Sequence, residues 1–500
     1  MKKKWLALLI VLLTGLAAEA QVTDVVLRPG EIPKGTFNWM LRSVADTVTP
    51  LINPPGVDPG VRTGAAGIGG LLPGITTGTG SETNLQQVGM FWFSTEWSVN
   101  GSIANTIPGL GARYDSTGCS ACHAYPAVGG TSPLVNNEVA MATMRGATNT
   151  VPSFITSNSP TVIPWQISTQ SLLPLYTIQG RTDAPGCTLA QPNWSALMAA
   201  NDISFTSPIE LAGAGLVEAT PSSTLVTNQT TIPVGATWTF AGLGITTGRF
   251  SRTFGGIQTI GRKANASSIL DFAYIAQRLE IGATNALFPR NSDEAAGTSC
   301  KPNGLPEDGY RTTRLLPNST SLQGDYSEQA QLTADAVRYL APPTAASSGY
   351  TACPPLSPGC RSPTTVTSGS ISNGQAQFIA VGCVACHTQS HTTGNSTMTG
   401  QSGVTYSSWS DHALHDMGDG LSNGITLDAA GPRDWKTAAL WGLGQRIYLL
   451  HDGRTTDLYQ AVILHYSATT HPSEANAVIT AFQALSTANQ QDILNFLRSQ

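Results

Sequence analysis

Two short stretches of this chain share one pattern, Cys119-Ser-Ala-Cys122-His123 and Cys383-Val-Ala-Cys386-His387. Two thiols three positions apart, followed directly by an imidazole, suit covalent attachment of a c-type haem. The cysteines join the porphyrin vinyl groups as thioethers, and the histidine turns under the ring as the proximal iron ligand. Disulfides and zinc sites use the same residue types, but zinc needs further Cys or His ligands close by, and the first motif has none. The expectation is two covalently bound haem c groups. Cys119, Cys122 and His123 hold haem 1, Cys383, Cys386 and His387 hold haem 2, and His123 and His387 bind the iron.

The eight histidines are unevenly spread. His123 stands alone before residue 387; the others are His387, His391, His412, His415, His451, His465 and His471. A second imidazole is therefore available to haem 2, but not to haem 1 from its own half. Haem 1 takes another ligand, for which Met141 and Met144 are candidates, or keeps an open face. An open iron suits peroxide chemistry; saturated irons suit electron transfer. His465 is the favoured distal ligand of haem 2, because it lies on an apolar helix face where an unpaired imidazole is costly. A core histidine with a hydrogen-bond partner is the plainer alternative, and Met417 is a second candidate ligand.

The chain opens as a secretory signal, with Lys2, Lys3 and Lys4, an apolar run from Trp5 to Ala18, and Ala18-Glu19-Ala20 before a cut at Gln21. Losing Lys2, Lys3, Lys4 and Glu19 takes the net charge from −5 to about −7. The chain is then expected to be exported, periplasmic in a bacterium, and not membrane-spanning. An acidic, lightly charged surface speaks against nucleic acid as a partner. The four cysteines outside the motifs suit two disulfides in an oxidising compartment. Cys353 and Cys360 bracket a turn-rich stretch, which leaves Cys187 for Cys300.

Several elements are expected to position the motifs. A helix from Asn373-Gly374 through Phe378 leads into Cys383, and Met90, Phe91, Phe93 and Trp97 play that role before Cys119. Leu458, Ala461, Val462 and His465 share one helical face, as do Ala475, Val478, Ile479 and Phe482. Ile493, Leu494, Phe496 and Leu497 close the chain as a final helix. Gly and Pro are abundant, so long ordered loops are expected, with some strands over 124–260. The fold reads as mainly α, two cytochrome-c-like haem domains with a few short strands. The divisions are a signal peptide at 1–20, an irregular extension at 21–85, a haem 1 domain at 86–340, a linker at 341–370 and a haem 2 domain at 371–500.

The C-terminal half resembles a known family. The carrying residues are Ser410-Asp411-His412-Ala413-Leu414-His415-Asp416-Met417-Gly418, Arg433-Asp434-Trp435-Lys436-Thr437, Leu440-Trp441-Gly442 and Leu450-His451-Asp452-Gly453-Arg454. They resemble the bacterial di-haem oxidoreductases described as peroxidases and also labelled thiol oxidoreductases. The chain is more distantly similar to the di-haem cytochrome c peroxidases and the methylamine-utilisation enzyme. The likeness spans about residues 85 to 500.

The resemblance implies three roles. Seven residues past Leu458, His465 takes the position of the distal ligand of haem 2, where the peroxidases carry Met and the methylamine enzyme Tyr. Two imidazoles give a lower potential than His/Met, which puts a peroxidase-style reductive activation in doubt. Leu279-Glu280-Ile281-Gly282, ending a helix from about Ser267, looks like the acid–base glutamate site over the open haem. His415 and His451 match histidines that hydrogen-bond near haem 2, while Arg433 and Arg454 would meet haem propionates. Trp92 and Trp97 are candidate inter-haem relays.

The leading reading is thus a periplasmic di-haem oxidoreductase that reduces hydrogen peroxide, or uses it to oxidise a small substrate. A small redox protein or other donor would supply its electrons. Calcium is neither indicated nor excluded. The rival is a di-haem electron carrier without a substrate, in which haem 1 is six-coordinate. A thiol oxidoreductase using Cys353 and Cys360 ranks below both, since no Cys-x-x-Cys spacing is present there.

Overall fold

The computed structural model describes residues 55–63, 70–75, 81–131, 207–230, 248–288, 326–353 and 363–500, apart from isolated positions within them. It also describes Asn193 and short strands at 167–168, 172–173, 176–177 and 312–314. The signal segment, most of the N-terminal extension, Met141, Met144, Cys187, Cys300 and Cys360 lie outside the described residues. Cys353 is disulfide-bonded. The motif cysteines are free thiols, so its partner also lies outside them.

The expectation of a mainly α chain is corrected. Among the described residues helix accounts for 34 % and strand for 15 %. Among the described residues the strands form one three-stranded sheet and seven two-stranded ones. The cause lies in composition: with 51 glycines and 31 prolines the backbone is interrupted too often for long helices. The longest described helix has 14 residues. The stretch 341–370 supplies two strands, Gly349–Cys353 and Thr364–Thr367, which pair antiparallel with each other; Val61–Arg62 joins the outer side of the first.

The helices that matter here are α1 (Ser81–Ser94), α2 (Ile269–Ala276), α3 (Gln329–Arg338), α4 (Ser368–Ala380), α5 (Leu458–Ile463), α6 (Asn476–Gln483) and α7 (Thr487–Ser499). Local chemistry sets their starts. Thr367 caps α4 by accepting from Ser370 N at 3.2 Å, and Ser486 caps α7 by accepting from Asn489 N at 3.3 Å.

Each motif follows a helix that crosses a later one: α1 packs on α3, and α4 on α7. Both crossings use the same device. A Cβ on Gly89 would collide with the Leu332 carbonyl and Ala336 Cβ; one on Gly374 would collide with the Asp492 carbonyl and Phe496 Cβ. Four residues on, Phe93 and Phe378 are buried and lean on the motif histidines. Their centroids lie 6.2 Å from His123 and 5.9 Å from His387. The two units therefore share a Gly-x-x-x-Phe element, absent from the sequence reading because its distance to the cysteines differs. Residues 95–118 intervene in the first unit, including the strand Glu96–Ser98 that holds Trp97, expected above to be helical.

The N-terminal segment is fastened to the C-terminal helix. Arg498 donates to both Asp58 oxygens at 2.9 and 2.6 Å, and Asp58 also accepts from Leu458 N, at the start of α5, at 2.8 Å. Both side chains are buried, at 0 % and 8 % exposure. Asp58→Ala strands a buried guanidinium, so an unfolding titration should show a loss of about 3–5 kcal/mol. Burial alone raises the Asp58 carboxyl, but the Arg498 hydrogen bond and charge hold it below the ordinary value. Its contribution is therefore present above the unfolded carboxylate's pKa of about 3.9. It is lost as pH falls through the lower folded value.

Candidate haem-binding site

The Cys119–Cys122 turn ends at His123, whose N–H bonds back to the Cys119 carbonyl at 2.9 Å. The second motif repeats this: His387 N donates to Cys383 O at 2.9 Å. In both units the backbone fixes the imidazole tautomer. His123 Nδ1 donates to Gly130 O and Ile209 O at 3.1 and 3.0 Å; His387 Nδ1 donates to Trp409 O at 2.7 Å. Nε2 is thereby left as the unprotonated, metal-binding nitrogen. Burial lowers both rings to about 4, so they are neutral at neutral pH, as an iron ligand must be.

His465 stands just past the end of α5, whose last residue is Ile463. Its Nδ1 donates to Ala461 O at 2.8 Å, again leaving Nε2 for a metal. It lies near enough to His387 to disfavour that ring's charged form.

Glu280 lies in a turn of π-helix, Gln277–Ile281, that continues α2. The wider π turn suits a functional position. Ser268 caps α2 through Asp271 N at 3.0 Å. At the other end Gly282 has φ 70° and packs so closely on Gly111 and the Arg113 carbonyl that neither glycine tolerates a Cβ. The Glu280 carbonyl accepts from Asp115 N and Ser116 N at 2.7 and 2.9 Å, which ties it to the segment before Cys119. Its carboxylate acts on Cys119 and on Arg262. The acid–base candidate thus falls beside the first motif.

The second motif has a different surround. His415 Nε2 donates to Asp411 Oδ2 at 2.9 Å and Nδ1 to Glu474 Oε2 at 2.8 Å. Burial opposes its charge, but the Cys386 sulfur and the Asp411 carboxylate raise it well above the ordinary value. His451 stacks on Trp435 with centroids 3.8 Å apart, and burial takes it down to about 3. Arg433 donates to both Asp416 oxygens, and Arg454 is held by Asp452 and by Gly420 O at 2.7 Å. Both guanidiniums therefore already meet a carboxylate. Met417 is held through its backbone N by Arg433 O at 3.0 Å.

A group of cations was missed at the sequence level. Lys263 lies 4.2 Å over the Trp435 ring and donates to Gly431 O at 2.7 Å. Lys436 Nζ donates to Thr259 O at 2.8 Å. Burial lowers both lysines to about 8 and Arg262 to about 10. Arg262 feels Glu280 on one side and Asp452 on the other, so it stands between the two units. Contiguous basic pairs such as Arg262-Lys263 are ordinary surface features, and no periodicity marks this one as internal.

These residues suit haem in three ways. The cysteines are thiols, with Cys119 and Cys383 pushed up to about 12 by burial. The motif histidines remain only half-buried, which leaves ring surface for a cofactor to cover. Trp92 Nε1 and the Tyr459 hydroxyl are buried without a hydrogen-bond partner, which a polar cofactor edge would satisfy. Among the described residues, no three or more of His, Cys, Asp and Glu gather to hold a bare metal ion.

Two paired cysteines with a backbone-anchored, neutral histidine, present twice, are the arrangement of a di-haem redox protein. The chain belongs to the family described as "Di-haem oxidoreductase, putative peroxidase", whose model matches residues 167–500. That range is shorter than the likeness from residue 85 expected above. It takes in Glu280, the second motif and His465, while the first motif precedes it. No curated protein and no solved structure matches the chain.

Proposed function

We propose that this member of the di-haem oxidoreductases is a periplasmic enzyme carrying two c-type haems, one on His123 and one between His387 and His465. It reduces hydrogen peroxide, or spends it on oxidising a small substrate, with electrons from a small redox protein passing between the haems. The asymmetry of the two units carries this reading. The His387 ring has His465, Asp411 and His415 as electrostatic neighbours, whereas the His123 ring has Arg262, and Glu280 acts on Cys119.

Bound haem supplies the iron at which the peroxide O–O bond is reduced. The chain's own residues do the rest. Glu280 takes the proton from one peroxide oxygen and returns it to the oxygen that leaves. Arg262 is the cation beside that carboxylate, and Glu280 in turn favours the charge on Arg262. The π turn and the Gly111–Gly282 contact hold that carboxylate in place. Two protons and two electrons convert one peroxide to two waters.

The resting ferric protein should show one high-spin and one low-spin haem by optical and EPR spectroscopy. Hydrogen peroxide should consume the high-spin signal. Two low-spin haems unaffected by peroxide would instead establish the electron-carrier reading.

A further inference from the structure

One polar pair has no place in the chemistry above. Arg446 and Tyr448 lie two residues apart in the C-terminal half. Arg446 Nε and the Tyr448 hydroxyl are both buried without a hydrogen-bond partner. Tyr448 is 3 % exposed, so water does not satisfy it from outside. Leaving two such groups unmet forfeits their hydration without replacing it.

Their neighbours point to the first unit. Ile209 O holds His123 Nδ1, and the next residue, Glu210, interacts electrostatically with Arg446. Ser207 N donates to His451 O at 2.7 Å, which ties this segment to the one carrying Arg446. Arg262 acts on both His123 and Arg446. Burial raises the carboxyl at hand, Glu210, to about 8 against the pull of Arg446, which weakens it as a counter-charge. Arg446 thus lies on the side of the C-terminal half that faces the His123 unit, with Arg262 near it and the unpartnered Tyr448 hydroxyl two residues on.

We infer that Arg446 and Tyr448, with Arg262 beside them, form a carboxylate site that receives a propionate of the haem on His123. A guanidinium and a hydroxyl are the donors such a carboxylate requires. The inference rests on the reading that His123 carries covalent haem, and it makes the C-terminal half complete the pocket of the first haem. Arg446 and Tyr448 are positioning residues, acting through the cofactor's side chain.

The test uses the holoprotein and reads the midpoint potential of each haem by optical titration. Arg446→Gln removes a positive charge near one haem. It should lower the potential of the high-spin haem by roughly a tenfold change in its reduction equilibrium, about 59 mV for one electron. Tyr448→Phe should shift it the same way by less, and Arg446→Lys should recover part of the loss. The low-spin haem should keep its potential, which also shows that the variants are folded. Unchanged potentials, or a shift confined to the low-spin haem, would overturn the inference. If acetate perturbs the wild-type spectrum but not that of Arg446→Gln, with potentials unmoved, the site takes a free carboxylate and the propionate assignment falls. A pyridine haemochrome assay separates the levels. Fewer than two covalent haems in the wild-type protein would remove the underlying reading, whereas two haems with unmoved potentials would remove this inference alone.

Discussion

His465→Ala is expected to turn one of the two haems from low spin to high spin while leaving its covalent attachment intact. Ala461 O takes the Nδ1 proton of His465 at 2.8 Å, and Trp409 O takes that of His387 at 2.7 Å. Both rings therefore present Nε2 as a lone-pair donor. Burial keeps both neutral, His387 at about 4 and His465 below its ordinary value. Neither ring loses affinity to protonation near neutral pH. Deleting the second imidazole should leave a five-coordinate iron, since Cys383, Cys386 and His387 still hold the porphyrin. The low-spin EPR signal should vanish with haem content unchanged. His465→Met should keep the haem low-spin and raise its potential, because thioether ligation favours the ferrous state. An unchanged spectrum in His465→Ala would move the distal ligand to another residue, with Met417 first in line.

The sequence made the cysteine motifs plain because attachment chemistry fixes both residue type and spacing. It also located the C-terminal helices, since a partly buried helix must repeat its apolar residues at 3, 4 and 7. Two ends came out differently. His465 shares the apolar spacing of α5 but lies beyond its last residue, Ile463, because the chain turns there and presents the ring through a bond back to Ala461. Trp97 looked helical beside Met90 and Phe93, but Ser94 ends α1, and Trp97 N pairs with Thr117 O at 2.7 Å. The mainly α expectation gave weight to the helices near the motifs. It underrated the many two-residue strand pairings that Gly- and Pro-rich backbone makes between distant segments, such as Arg113–Tyr114 with Tyr176–Thr177. Such pairings carry no periodic signal. The shared Gly-x-x-x-Phe element was concealed by insertion: Phe378 precedes Cys383 by five positions, Phe93 precedes Cys119 by 26. The buried cations around Arg262 were invisible for a simpler reason. Burial of a charge is decided by partners far away in the chain, here Glu280 and Asp452.

Glu280→Gln should lower peroxide turnover by about 10²–10⁴-fold, the usual worth of a positioned acid–base group, with both haems still attached. Gln keeps the size and the dipole of the side chain but cannot accept and return a proton. Its backbone work, accepting from Asp115 N and Ser116 N, is untouched, so folding should be preserved. The neighbouring cation matters as well. Arg262 stabilises a charged partner at this position, and replacing that charge with an amide leaves Arg262 less compensated. Glu280→Asp offers the sharper comparison, since it keeps the proton chemistry but withdraws the carboxylate by one methylene. If position and proton transfer both matter, Asp should fall between Gln and the wild type. A Glu280→Gln protein that turns over peroxide at the wild-type rate would return Glu280 to a structural role at the π turn. The proton would then have to come from another group in the surround of the first motif.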